Sequence, residues 1–103
     1  MTDNELLDLA GKAAGIIGEY RTESLYLSTG WEKVGAIFLE DDLGYWNPLT
    51  DDGDALRLAV KLKIDIGWVG GQVAANNACE IGDYAATRRA IVRAAAEIGK
   101  AMP

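Results

Sequence analysis

The chain has 103 residues, of which 50% are hydrophobic and 25% are charged, and its formal net charge at neutral pH is −6. This composition predicts one globular domain over residues 1–103 and argues against a disordered chain, a membrane span and direct binding of nucleic acid. The chain has no histidine and one cysteine, Cys79. These counts exclude an internal disulfide, a Cys/His zinc cluster and a Ser-His-Asp triad, so we expect no metal and no cofactor.

The N-terminal segment predicts a helix over residues 3–16. Thr2 and Glu5 have the spacing of a capping box, in which each residue bonds to the backbone of the other. Apolar residues then recur at helical spacing, and Gly15 is a candidate for the end of the helix. The acidic start lacks the basic and apolar blocks of a signal peptide, so the expected location is the cytoplasm.

Two β-prone runs, residues 25–27 and 34–39, flank a turn signal at residues 28–30 and predict a β-hairpin. The stretch from Tyr45 to Asp54 is expected to be a loop that leads into a helix.

The next helix is predicted over residues 52–62, with Thr50, Asp51 or Asp52 supplying its N-terminal cap. Extra carboxylates there suit the positive end of the helix dipole. Apolar residues occupy much of the helix circumference, so we expect this helix to be the most buried one.

Gly70-Gly71 is a two-residue turn signal that predicts a second hairpin. The expected register pairs Trp68 with Val73 and Ile66 with Ala75, which gives the ribbon one apolar face. The returning strand is expected to end near Asn76-Asn77.

The last helix is predicted to begin after Asp83, which we expect to be its cap. Tyr84, Ile91 and Met102 mark its apolar face. The predicted order is therefore α-β-β-α-β-β-α. Because no strand-helix-strand unit requires parallel pairing, we expect an α+β fold with a mostly antiparallel, four-stranded sheet and helices packed against it.

Two stretches, residues 46–62 (WNPLTDDGDALRLAVKL) and 84–99 (YAATRRAIVRAAAEIG), resemble segments of small bacteriophage and prophage proteins that have no assigned function. The likeness is weaker in the first helix, and it covers about half of the chain. It implies a phage accessory protein that acts inside a bacterial cell. It supplies no catalytic or binding residues.

Acidic residues form the first set of candidate binding residues. They are Glu40, Asp41, Asp42, Asp51 and Asp52. Their spacing is not that of a calcium-binding loop, and capping of the helix explains the second group better than a weak Mg²⁺ or Ca²⁺ site does. Alternatively, the acidic groups bind a basic surface on another protein.

Trp46 and Asn47 form a second candidate, an exposed recognition loop, because tryptophan anchors many interfaces. The favoured alternative is that Trp46 covers the end of the core, with Asn47 bonded to nearby backbone.

Arg88, Arg89 and Arg93 form a basic stripe that could bind an acidic partner or a phosphate. The favoured alternative is a solvated helix face, with Arg93 near Glu97 and Arg89 near acids on the side of Asp83.

Three functions follow, in order of preference. The first is a non-enzymatic protein-interaction module that acts on a host or phage macromolecule. The second is a homodimer or other self-assembly, formed through the last helix or an exposed strand edge. The third is a protein or enzyme that binds a small ligand or divalent metal through the acidic loop or the arginine stripe.

Overall fold

The computed structural model describes residues 1–40 and 44–103. Its elements are α1 (Asp3–Ala14), β1 (Gly18–Leu27), β2 (Gly30–Leu39), β3 (Tyr45–Trp46), α2 (Asp52–Leu62), β4 (Ile66–Val69), β5 (Gln72–Ala75), β6 (Ala78–Ile81) and α3 (Tyr84–Ala101). The strands form two antiparallel sheets, β1-β2-β3 and β4-β5-β6. The α+β class, with antiparallel strands and helices packed against them, is confirmed. The strands form two sheets instead of the expected single four-stranded sheet. Each predicted hairpin is extended by one further strand, β3 in the first sheet and β6 in the second.

The capping box of α1 is confirmed. The hydroxyl of Thr2 accepts a hydrogen bond from the N–H of Glu5 at 3.2 Å, and the N–H of Thr2 donates to the carboxylate of Glu5 at 3.1 Å. Gly15 adopts a left-handed conformation with φ of 73° and ends the helix, which is therefore slightly shorter than predicted.

The first hairpin is longer than the sequence predicts. Its turn lies at the expected place, and pairing runs from Leu27–Gly30 back to Gly18–Leu39. The additional residues of β1 are mostly polar and exposed, so no apolar alternation marks them as a strand. Hydrogen bonding to β2, rather than burial, defines this part of the ribbon.

Tyr45 and Trp46 were expected in a loop, and this expectation was wrong. They form the short strand β3, in which Trp46 pairs with Ile37 and Tyr45 pairs with Phe38. A strand of two residues is too short to leave a periodic pattern in the sequence.

The bounds of α2 are confirmed, and Asp51 is its cap. The expectation that α2 is the most buried helix is wrong, because Leu56 and Val60 are exposed. The long helix α3 takes the central position instead, in contact with α1, α2, β5 and β6. The small residues of α3 allow this: Gly99 lies so close to α1 that a Cβ there would be 2.0 Å from the carbonyl oxygen of Leu9.

The register of the second hairpin is confirmed, with Trp68 opposite Val73 and Ile66 opposite Ala75. The strand β6, which follows a tight turn, is not predicted by the sequence pattern. Asn76 reverses the chain there with φ of 51°, a conformation that asparagine tolerates better than most residues.

Asp83 occupies the position before α3, but its side chain makes no capping hydrogen bond. Tyr84 and Met102, expected on the buried face of α3, are exposed, whereas Ile91 is buried as expected. The core lies where α1, α2 and α3 meet the inner faces of the two sheets. Within residues 1–40 and 44–103, no helix combines the length and the apolar character that a membrane crossing requires.

Candidate functional site

The structure describes three of the five acidic candidates. Asp41 and Asp42 lie outside the described residues, and Glu40 is exposed at the end of β2. Asp51 accepts a hydrogen bond from the N–H of Asp54 at 2.8 Å, and Asp52 lies 2.7 Å from the guanidinium of Arg88. In the described part of the chain, no three His, Cys, Asp or Glu side chains are grouped so that they could hold a metal ion.

Trp46 and Asn47 are part of the interior. Their exposed fractions are 8% and 5%. The side-chain amide of Asn47 donates to the carbonyl oxygen of Gly35 at 2.7 Å, and its side-chain oxygen accepts from the N–H of Leu49 at 2.9 Å. This segment therefore has the core-covering role that the sequence favoured, and it is not an exposed recognition loop.

The arginine stripe is divided among three contacts along α3. Arg88 donates to the carbonyl oxygen of Leu49 at 2.8 Å and pairs with Asp52. Its position ties α3 to the start of α2.

The other two arginines bind acids that the sequence did not identify. Arg89 lies 3.3 Å from Asp3 of α1, and Arg93 pairs with Glu80 of β6. These ion pairs are with carboxylates of α1 and β6, and not with Glu97 or acids beside Asp83, because neighbouring elements bring their carboxylates to α3.

A cleft of about 770 Å³ with a mixed polar and apolar lining adjoins these two arginines. Asn76 and Asn77 also line it. Because both guanidinium groups already bind carboxylates of the same chain, the positive charge available to a ligand is small.

A second cleft has a different character, and we call it the Trp68 groove. Its volume is about 500 Å³, and it lies where α2, β4 and the first turns of α3 meet. It is lined by Asp52, Ala55, Leu56, Ile66, Trp68, Gly82, Asp83, Tyr84, Thr87, Arg88 and Ile91.

The sheet register explains how Trp68 reaches this groove. Directly paired residues lie on the same face of a sheet, so Trp68 shares a face with Val73. Val73 is fully buried on the side that α3 covers. Trp68 is on the same side of the sheet and yet is 63% exposed, so it forms a wall of the groove rather than part of the core.

Two further large side chains complete the exposed apolar surface. Leu56 of α2 is 62% exposed, and Tyr84 at the start of α3 is 73% exposed. Burying a large apolar side chain stabilises a protein by about 1.5–3 kcal/mol. Because Leu56, Trp68 and Tyr84 stay exposed around one groove, the fold lacks much of this stabilisation. Single exposed apolar residues are ordinary, but a contiguous patch is typical of an interaction site.

The rim of the groove is charged. The ion pair between Asp52 and Arg88 forms one part of it, and Asp83 adds a carboxylate that is not used to cap α3. The groove thus combines an apolar interior with polar groups at its border, as protein interfaces do.

The sequence contained a signal for this site that was interpreted differently. The surplus of apolar residues around α2 predicts the most buried helix, whereas Leu56 is one of the residues that line the groove. An amphipathic helix needs only one apolar face, so a second apolar face indicates either burial or a surface for a partner.

A second exposed aromatic cluster lies at the tip of the first hairpin. Tyr26 and Trp31 are opposite each other, with ring centroids 5.5 Å apart in an edge-to-face arrangement. Trp31 is 73% exposed. This pair is far from α2, β4 and α3 in the chain order and provides a matched comparison for Trp68.

No family model matches this chain, and neither a curated protein nor a solved structure matches it.

Proposed function

We propose that this protein is a non-enzymatic protein-interaction module and that the Trp68 groove is its binding surface. The observation that carries the proposal is the exposure of Leu56, Trp68 and Tyr84, contributed by three different elements, around one groove of about 500 Å³.

The chemistry of the groove favours a protein segment as its occupant. Tryptophan and tyrosine are the residues that most often supply the binding energy of protein interfaces. They offer large contact areas at low cost in side-chain entropy. The occupant is therefore a segment that presents apolar side chains to Trp68 and Leu56, with a basic residue placed to meet Asp83.

The resemblance to bacteriophage and prophage proteins supports a host or phage protein in the bacterial cytoplasm as the source of that segment. The acidic groups around α2 contribute less than the sequence alone suggested. Asp51 and Asp52 hold the backbone of α2 and the guanidinium of Arg88, so both have structural partners within the chain.

A peptide-display library selected on the full-length protein tests the proposal. Affinities of the selected peptides are then measured for the parent protein, for Trp68→Ser and for the matched control Trp31→Ser. We expect Trp68→Ser to weaken binding at least about 30-fold, as a hot-spot residue does. Trp31→Ser should change it less than about twofold.

Leu56→Asp provides an independent test on another wall of the groove. The side chain is exposed, so the substitution should leave the free energy of unfolding nearly unchanged while it abolishes peptide binding. Peptides that bind both groove variants as tightly as the parent protein would overturn the proposal, as would binding that depends on Trp31.

A further inference from the structure

The ribbon of β1 and β2 has an open edge. Within the described residues, β1 is the last strand of its sheet, whereas the other edge of β2 is engaged by β3 and by the side chain of Asn47. The distal part of the ribbon is largely exposed and ends in Tyr26 and Trp31. A two-stranded ribbon is only marginally stable by itself in water, and an unpaired edge is a template for another strand.

The hydrogen bonds of β2 show which groups of β1 are directed to that edge. The carbonyl oxygen of Gly35 accepts from Asn47, and the N–H of Leu39 donates to Gly44, both on the side away from β1. Since Gly35 is paired with Thr22, antiparallel alternation directs the N–H and C=O of Thr22 outward, toward the open edge of β1.

We propose that two copies of this chain associate through antiparallel pairing of their β1 strands, with Thr22 opposite the partner's Thr22 on a twofold axis. Two sheets of three strands then join into one sheet of six. This association is independent of the Trp68 groove, which belongs to the other sheet.

Charge complementarity supports this register. With Thr22 on the axis, Arg21 lies opposite the partner's Glu23. By the same symmetry, Glu23 lies opposite the partner's Arg21. Arg21 is exposed and Glu23 is partly exposed, and the two side chains lie 3.3 Å apart within one chain, so pairing joins four alternating charges on one face. Opposite charges and paired threonines are both favourable across antiparallel strands.

The neighbouring registers lack this advantage. A twofold axis at Glu23 places that residue opposite the partner's Glu23, and an axis at Arg21 places two arginines opposite each other. Other registers would pair Thr22 with an odd-numbered residue of the partner's β1. The outward N–H and C=O of Thr22 would then lie opposite groups that are already bonded to β2. The proposed register also sets Tyr26 against the partner's Gly18, a combination in which the ring covers the glycine.

Oxidative cross-linking tests the axis directly. In a Cys79→Ser background, which removes the exposed native thiol, Thr22→Cys is compared with Ser24→Cys. Residues opposite each other in a hydrogen-bonded pair have Cα atoms about 5.5 Å apart, within disulfide range. Two copies of residue 24 lie about 13 Å apart along the strand direction.

Mild oxidation with diamide should therefore link Thr22→Cys rapidly and Ser24→Cys hardly at all on a non-reducing gel. Equal cross-linking of the two variants, faster linking at position 24, or no linking at position 22 would overturn the proposal.

Charge reversal gives a second test by sedimentation equilibrium of the full chain. Glu23→Arg should weaken dimerisation roughly tenfold, because two favourable pairs become two repulsive ones. The double variant Arg21→Glu with Glu23→Arg should restore it to within about threefold. Circular dichroism verifies that each variant is folded. A parent protein that stays at its monomer mass of 11.0 kDa at high concentration, or a double variant without rescue, would refute the proposal.

Discussion

The side-chain amide of Asn47 donates a 2.7 Å hydrogen bond to the carbonyl oxygen of Gly35, which fastens the segment before α2 to the middle strand of the first sheet. The same side chain accepts from the N–H of Leu49, and the N–H of Asn47 itself donates to Asp54 at 3.0 Å. This buried residue thus helps to position α2, and with it one wall of the Trp68 groove.

Replacing Asn47 should be costly. Asn47→Ala leaves the partly buried C=O of Gly35 and N–H of Leu49 without their partners, so we expect a loss of about 3 kcal/mol in the free energy of unfolding. Urea denaturation measures it. Asn77→Ala, an exposed asparagine in a turn, is the control and should change stability by less than about 0.5 kcal/mol. Similar losses in the two variants would contradict this role of Asn47.

Gly99 should not tolerate a methyl group. Replacing glycine with alanine inside a helix normally stabilises a protein by about 0.5–1 kcal/mol. Here the added Cβ would stand 2.0 Å from the carbonyl oxygen of Leu9, so α1 and α3 would have to separate. We expect Gly99→Ala to lose about 3 kcal/mol.

The matched control for this substitution is Gly67→Ala in β4, where the new Cβ meets no other atom within 4 Å. Thermal unfolding should show little change for Gly67→Ala and a large drop for Gly99→Ala. An unchanged melting temperature for Gly99→Ala would show that the two helices are not in such close contact.

The capping box predicts a specific pH dependence. Hydrogen bonds from the backbone N–H and the hydroxyl of Thr2 lower the pKa of Glu5 below its ordinary value of 4.5. A carboxyl whose pKa is lower in the folded state stabilises the fold above its unfolded pKa, and this contribution is lost as the pH falls through the folded pKa. The urea midpoint of the parent protein should therefore exceed that of Glu5→Gln at pH 7, with the difference vanishing in acid. A constant difference at every pH would contradict it.

Asp8, on the same helix, should behave in the opposite way. Partial burial raises the pKa of Asp8 above its ordinary value of 3.8. The ionised form is thus disfavoured in the folded state, and the penalty present at neutral pH disappears as the pH falls through the raised folded pKa. Asp8→Asn should raise the urea midpoint at pH 7 and have little effect in acid. A lower midpoint at pH 7 would show that the carboxylate makes a favourable contact.

Local signals made much of this fold predictable. The capping box at Thr2, the bounds of α2 and the register that places Trp68 opposite Val73 all depend on residues close together in sequence. The strands β3 and β6 were not predicted, because each is short and is defined by its neighbour in the sheet rather than by a pattern of its own.

The candidate site was harder to foresee. The sequence does not distinguish an exposed leucine of α2, such as Leu56, from a buried one, such as Leu58. The packing of the other helices against α2 decides which of them faces the core. The ion pairs of the arginines were hard to foresee for a related reason: Arg89 and Arg93 bind Asp3 and Glu80, which lie on other elements of the chain.

The central claim, that the Trp68 groove binds a protein segment, is tested most directly by the indole N–H signals of the three tryptophans in an NMR spectrum. Trp68 reports on the groove, Trp46 on the buried core and Trp31 on the hairpin tip. Titration with a peptide selected on the full-length protein should shift the Trp68 signal and leave the other two in place. A shift of the Trp31 signal with an unchanged Trp68 signal would contradict the account.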